Sequence, residues 1–307
     1  MIMRALPGLI CMSLVLTASG NTISLQTVQH DQDLQKAADF LVSQYNSTLQ
    51  LLAEAPRVRP TVYWLWNDNF LGYYALKVYY PEIADTIMES MQRYGYMYNY
   101  AYEALFGQTV DLPFHSPMNY TILKGIDYEI NLDIYNGSIM KDWQNYSNLL
   151  CLAALSQYWK GDITIAVSNF SKAVTMWTGT GITDEANDDS DDKEYKRYAV
   201  YKLALLLYTA KILDQPLSFQ RDAENIIWQM QNKTNHGIHT DYNGDLDPSG
   251  SNVNVETTAL VIGAYKWSYS IFNELNDKIL VLSGMFLIYT IFLTIFSVYS
   301  RWLRKKF

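Results

Sequence analysis

The chain has 307 residues and a formal net charge of −8; it is 49% hydrophobic and only 18% charged, with 25 tyrosines. All 31 acids fall between Asn21 and Lys278; setting aside Arg4, Arg301, Arg304, Lys305 and Lys306 from the 23 cations leaves 18 there, a net charge near −13. So acidic a surface repels nucleic acid, which is excluded as a partner.

Residues 1–20 open with a basic Arg4, run apolar from Ala5 to Ala18 and close on the small residues Ala18-Ser19-Gly20. That is the pattern of a signal peptide cleaved after Gly20. The competing reading, a retained anchor, is opposed by Pro7 and Gly8 and by a length short of a 30 Å hydrocarbon core. Cleavage would remove Cys11 and leave Cys151 alone, so no intrachain disulfide is expected in the exported part.

From Asp31 to Ala55 the residues Leu34, Ala38, Leu41, Val42, Tyr45, Leu49 and Leu52 recur at three- and four-residue spacing, predicting an amphipathic helix that Pro56 and Pro60 end. Thr61–Tyr80 predicts a second, very aromatic helix, and Pro81 opens a third that reaches about Tyr94. Tyr94, Tyr96, Tyr98, Tyr100 and Tyr102 alternate, consistent with a small sheet. Ile126, Tyr128, Ile130, Leu132 and Ile134 alternate with Asp127, Glu129, Asn131 and Asp133, the period of a half-buried strand, with Tyr120 and Ile122 as its hairpin partner. This β insertion spans about residues 119–136.

Helical spacing returns at Asn148–Trp159 and Ile163–Trp177, a pair joined at Lys160-Gly161-Asp162. Tyr195–Leu213 is apolar nearly all round, predicting a central buried helix, and Phe219–Gln231 and Val255–Phe272 form a last pair. Seven acids between Asp184 and Glu194 read as a solvated loop, with calcium as the alternative. Ile279–Ser300 is a run of 22 uncharged residues, about 33 Å as a helix and enough to span lipid. Arg301, Arg304, Lys305 and Lys306 follow it, so residues 301–307 are expected in the cytoplasm and residues 21–278 outside the cell. Membrane lipid is then a partner of residues 279–300.

Six Asn-x-Ser/Thr sequons, at Asn46, Asn119, Asn136, Asn145, Asn169 and Asn232, point to N-glycosylation of the outer segment. Sequons with almost no cysteine suit an archaeal cell surface more than a metazoan one. Many tyrosines and few charges suit an acidic medium, where carboxylates lose their charge.

Two segments carry a resemblance: Tyr63-Trp-Leu-Trp-Asn-Asp-Asn-Phe-Leu-Gly-Tyr-Tyr-Ala-Leu76, and Gly237-Ile-His-Thr-Asp-Tyr242 with Asn254-Val-Glu-Thr-Thr-Ala-Leu260. Together they resemble the loop-plus-inner-helix segments of the six-hairpin glycosidase-like superfamily. The resemblance implies a mainly α fold, an (α/α) toroid of helical hairpins, and carbohydrate as substrate or ligand. The helices predicted above are fewer than the twelve of a complete six-hairpin ring, which makes an incomplete ring the expectation.

On that frame the candidate catalytic carboxylates are Asp68, Asp241 and Glu256. Glycosidases use two carboxyls about 5–10 Å apart, one of them protonated. Asp68 is read alternatively as a helix cap or a buried hydrogen-bond acceptor, and Glu256 as a first-turn carboxylate facing the helix dipole. Asn67, Asn69, Trp64, Trp66, His239 and Tyr242 are candidate substrate contacts, the tryptophans by stacking on sugar rings or else as core. Asp241, Asn243, Asp245 and Asp247 alternate as calcium ligands do, although Leu246 and Asn252 stand where a calcium loop wants Gly and Glu. His236-x-x-His239 is at most half a zinc site, and His115 has no assigned role. No nucleophile elbow, phosphate-binding loop, dinucleotide fingerprint or HExxH occurs. Two functions follow: a surface glycosidase-like enzyme, or a non-catalytic module of the cell envelope that binds glycan or protein.

Overall fold

The computed structural model describes residues 30–95, 98–186, 197–248 and 250–268. The expected signal peptide, the span Ile279–Ser300, the basic tail, Tyr96 and most of the acidic run lie outside the described residues. No helix among the described residues is long and apolar enough to cross a membrane. Residues 1–266 cluster as one unit and 267–307 as another; the architecture below is that of the first.

The unit is mainly α with small β elements. Helix α1 (residues 30–43) buries Leu34, Ala38 and Leu41 as the spacing predicts. It does not continue to Ala55. The Asn46 side-chain carbonyl accepts the N–H groups of Thr48 and Leu49 at 2.9 and 3.0 Å, and Gln50 turns into the left-handed region at φ 57°. That turn reverses the chain, pairing β1 (Tyr45–Asn46) with β2 (Leu51–Leu52). Asparagine competing for its own backbone ends the helix before proline can.

The second predicted helix also divides. β3 (Val62–Trp64) pairs in parallel with β5 (Glu129–Ile134), and only after a wide turn at Leu65–Phe70 does α2 (Leu71–Leu76) begin. Asn69, fully buried, clips this turn in place. Its side-chain carbonyl accepts the Leu52 N–H at 2.7 Å, and its amide donates to the carbonyls of Leu52 (3.1 Å) and Trp64 (2.7 Å). Gly72 permits the approach: a Cβ there would lie 2.3 Å from the Leu52 side chain.

α3 (Pro81–Arg93) follows as predicted and buries Ala84, Ile87 and Met91. The alternating tyrosines do not make a sheet among the described residues. Tyr94 closes α3, Gly95 turns at φ 82°, Tyr98 and Tyr100 are exposed, and Tyr102 opens a short 3-10 turn, Tyr102–Phe106. The expected hairpin is present: β4 (Met118–Lys124) runs antiparallel to β5, giving the order β3-β5-β4. Ile130, Leu132 and Ile134 enter the core, yet Asn131 and Asp133 on the opposite face are buried too.

α4 (Ser147–Lys160) and α5 (Ile163–Val174) pair across Gly161, which adopts φ 87°. β6 (Tyr198–Ala199) leads into α6 (Val200–Leu213), followed by α7 (Gln220–Gln229), β7 (Asp241–Tyr242) and α8 (Val255–Lys266). Helices α2, α4, α6 and α8 are buried nearly all round and pack in the order α4-α6-α8-α2, while α3, α5 and α7 each bury one face against α2, α4 and α6. α1 closes against α8 through Lys266 and Asp31 at 2.7 Å. Asp184, read as the start of a solvated loop, is instead buried in an ion pair with Lys202 at 2.7 Å and accepts the Ser147 N–H and hydroxyl. A buried carboxylate needs such a partner; the α6 lysine supplies it.

Asn69→Ala would strand three backbone groups, each costing about 1–3 kcal/mol. Urea unfolding is expected to show at least about 3 kcal/mol of lost stability, and a loss under about 1 kcal/mol would show that the clip does not hold the turn.

Candidate functional site

The wide turn and the start of α8 build one site between them. Leu71 N–H reaches back to the Asp68 carbonyl, three residues away, and to the Trp66 carbonyl, five residues away and wider than an α-helix allows; in this turn Asn67 is half-buried and Asp68 buried. The first three N–H groups of α8 need acceptors. Val255 N–H finds the Glu54 carbonyl at 3.0 Å, Glu256 N–H finds the Asp68 carboxyl, and Thr257 N–H finds the Asn254 side chain at 2.9 Å. Asp68 is therefore a cap for α8, supplied from another part of the chain. The cap uses one oxygen only. Asp68 Oδ2 is buried and accepts no hydrogen bond.

Around this carboxyl lies a cleft of about 210 Å³ lined by Glu54, Arg59, Trp64, Asn67, Asp68, Asn119, Asp133, Asn254 and Glu256. Trp64 Nε1–H donates to Glu54 Oε2 at 2.8 Å and Arg59 approaches the same oxygen at 3.4 Å. Asp133 reaches the cleft from the polar face of β5, opposite Asn119 on β4, and Asn99 donates to its Oδ2 at 3.2 Å. The Tyr102 hydroxyl donates to Glu256 Oε1 at 2.8 Å.

Burial raises the Asp68 pKa well above the usual carboxylate value, and the neighbouring Glu54, Glu256 and Asp133 raise it further; only the Glu256 N–H opposes them. The dipole at a helix N-terminus is worth about 0.3–1 kcal/mol, or ~2 in favourable geometry. It is outweighed by desolvation of a carboxylate that shares one cleft with three other acids, so the environment favours the neutral form of Asp68. Burial pushes Glu256 up to about 7, against the Tyr102 hydroxyl that favours its anion. Asp133 is pushed up to about 6, again chiefly by burial. Burial and then the Glu256 charge hold the Tyr102 phenol protonated, as a donor should be.

No protein-family model, curated protein or solved structure matches the chain.

Of the residues expected at a site, the cleft assembles Asp68, Glu256, Asn67 and Trp64. Asp241 does not line it. Asp241 pairs with Ala199 in the β6–β7 ladder, where burial raises its pKa against the nearby Arg197 and Lys202 charges. Tyr242 is fully buried and donates to the Thr180 carbonyl at 2.8 Å. His239 faces a separate small recess with Asn232 and Ser251. Trp66 packs on Phe70 in the core, its ring centroid 4.2 Å away.

The loop holding Asp241, Asn243, Asp245 and Asp247 is organised by its own backbone. Asn243 Oδ1 accepts the Asp245 and Asp247 N–H groups at 3.0 and 2.9 Å, and Leu246 adopts φ 61° where calcium loops place Gly. No three His, Cys, Asp or Glu side chains converge as metal ligands among the described residues. Among the sequons, Asn119, Asn136 and Asn145 are exposed and Asn46, Asn169 and Asn232 half-buried. The Asn46 amide donates to Tyr63 and the Asn232 amide meets His239.

Glu54, Arg59, Asp133 and Asn254 line the cleft and Tyr102 holds Glu256 from behind it, and none of these was assigned a site role from the sequence. Asp133 had a signal: it lies on the polar side of the alternating strand, and a polar strand face beside an aromatic turn marks the wall of a cleft.

Groups whose pKa is raised on folding stabilise the protein below their unfolded values and lose that contribution as pH climbs through the folded ones. Stability is therefore expected to be greatest near pH 4 and to fall between about pH 5 and 8 as Asp133 and Glu256 ionise. At 1.36 kcal/mol per pKa unit, the loss is on the order of a few kcal/mol. Urea midpoints across that range test this, and a maximum at neutral pH would refute it.

Proposed function

We propose that the chain is a membrane-tethered cell-surface glycoprotein whose helices form an incomplete (α/α) toroid of hairpins acting on carbohydrate at this cleft. One observation carries the reading: Asp68, a buried carboxyl with one oxygen held by backbone and the other without a hydrogen-bond partner, beside Glu256 in a polar cleft. The alternation of buried helices α2, α4, α6 and α8 with one-faced helices α3, α5 and α7 supports the hairpin architecture. The apolar run Ile279–Ser300 and the sequons support the surface location.

In the proposed mechanism Asp68 holds the proton given to the leaving oxygen, and Glu256 in its anionic form is the base or nucleophile. Tyr102 positions Glu256 and favours its charge. Trp64, fixed by Glu54, offers a ring face, while Asn67 and Asn119 offer hydroxyl partners. At about 210 Å³, the cleft is smaller than the ~300–1,000 Å³ of sites for larger ligands. It suits one sugar ring at a chain end.

A second reading has its own support. Capping α8 gives Asp68 a structural reason for burial, which favours a non-catalytic envelope module that binds glycan or protein.

Turnover of a glycan panel by the purified full-length chain separates the two. Asn at position 68 keeps the cap acceptor and mimics the neutral acid, so Asp68→Asn is expected to melt within a few degrees of the parent while losing about 10²–10⁴ in turnover. Glu256→Gln is expected to lose as much. Binding without turnover selects the module, and equal turnover in all three proteins removes both residues from the mechanism.

Activity is expected to rise with pH through about 7 as Glu256 ionises. Tyr102→Phe should move that limb upward, and an unmoved limb would deny Tyr102 its role.

A further inference from the structure

The cleft is unbalanced in charge. Among the residues lining it, Glu54, Asp68, Asp133 and Glu256 are acids and Arg59 is the only base. Arg59 is itself directed at Glu54. Behind the wall stands another buried acid, Glu103, with the phenols of Tyr102 and Tyr135. Lys202 on α6 is engaged by Asp184.

We propose that the ligand taken here carries a protonated amine, an amino sugar, with its ammonium set against Asp68, Glu256 and Asp133. The inference rests on reading this cleft as the ligand site and names the class of ligand.

Three features select that class. The buried Asp68 Oδ2 accepts no hydrogen bond from the protein, so once the carboxyl gives up its proton the ligand must bring a donor. An ammonium brings three donors and no acceptor, whereas a hydroxyl brings one donor. Charge-assisted bonds are about twice as strong as neutral ones. A sugar bearing a carboxylate would meet four acids against one arginine, and repulsion would exclude it. A bare metal ion fits less well than an organic cation. Calcium wants its oxygens together at about 2.3–2.6 Å, and no three acid or imidazole groups among the described residues converge in that way. An ammonium on a ring makes longer bonds and spans carboxyls that stand apart.

Calorimetric titration of the purified full-length chain at pH 7 tests this with three probes on a similar ring: glucosamine, N-acetylglucosamine and glucuronate. Glucosamine is expected to bind at least about tenfold more tightly than its N-acetyl form, and glucuronate weakest. Its binding should release protons as the carboxyls ionise, seen as heats that differ between two buffers of unlike ionisation enthalpy. Asp133→Asn should weaken glucosamine about tenfold and so reduce its preference over the N-acetyl form, and an unchanged preference would overturn the assignment.

Equal affinity for the first two probes, preference for glucuronate, or binding of none overturns the proposal. The glycan panel of the preceding section reads separately. Asp68-dependent turnover of neutral glycosides without amine preference removes this inference and keeps the acid–base reading. Amine preference without turnover does the reverse.

Discussion

The bond from the Glu256 backbone N–H to the Asp68 carboxyl is the constraint on which the site depends. It joins the first turn of α8 to a turn that precedes α2, two segments far apart in the chain. A helix start cannot be buried with its N–H groups empty, so α8 can lie in the core only where other segments bring it acceptors. Glu54 and Asn254 bring two, and Asp68 brings the third. The same bond uses one side of the Asp68 carboxyl, while Oδ2 is buried without a hydrogen-bond partner. Asn69, next in sequence, clips the turn to Leu52 and so holds its neighbour in position.

Burying acids together sets stability against chemistry. Asp68, Asp133 and Glu256 are each held more easily as the neutral acid, so the fold is firmest where these three are protonated. The base of the proposed mechanism has to be charged, however, and Glu256, pushed up to about 7, is charged only above the pH at which the fold is firmest. The Tyr102 bond reduces this conflict without removing it, since one phenol donor favours the anion while burial on all sides opposes it. Such opposition is the usual condition of a working carboxyl pair, where environments push two pKa values apart. Asp184, by contrast with Asp68, has both oxygens satisfied, by Lys202, Ser147 and Ala186.

Much of the helical scaffold was legible because burial leaves a period. α3, α4, α5 and α7 begin and end near where spacing, proline and Gly161 place them, and the all-round apolar α6 lies inside. The strand pair was legible from strict alternation. What spacing could not give was the fate of polar side chains. Asn46 ends α1 early, and Asn69 replaces a predicted helical turn with a clip; each depends on which backbone groups come near in three dimensions. Asp68 and Glu256, singled out because they stand in the segments that carry the resemblance, line one cleft. Asp241 stands in one of those segments too and lies elsewhere, because its strand pairs with β6.

The buried polar face of β5 shows why the missed residues matter. In a half-buried strand the polar side chains ordinarily face water. Here Asn131 and Asp133 are as hidden as Ile130 and Leu132. Burying Asp133 costs free energy, so an alternation that reads as inside and outside is better understood as two insides, one apolar and one a polar wall. Thr121 donates to Asn131 and Asn99 to Asp133, which satisfies the wall without neutralising it. The sheet thus contributes an acid to the cleft while its other face anchors it in the core. Sequence alternation identifies the strand; only the packing of the Leu65–Phe70 turn against it, with Glu256 of α8 lining the same cleft, makes its polar side a cleft wall.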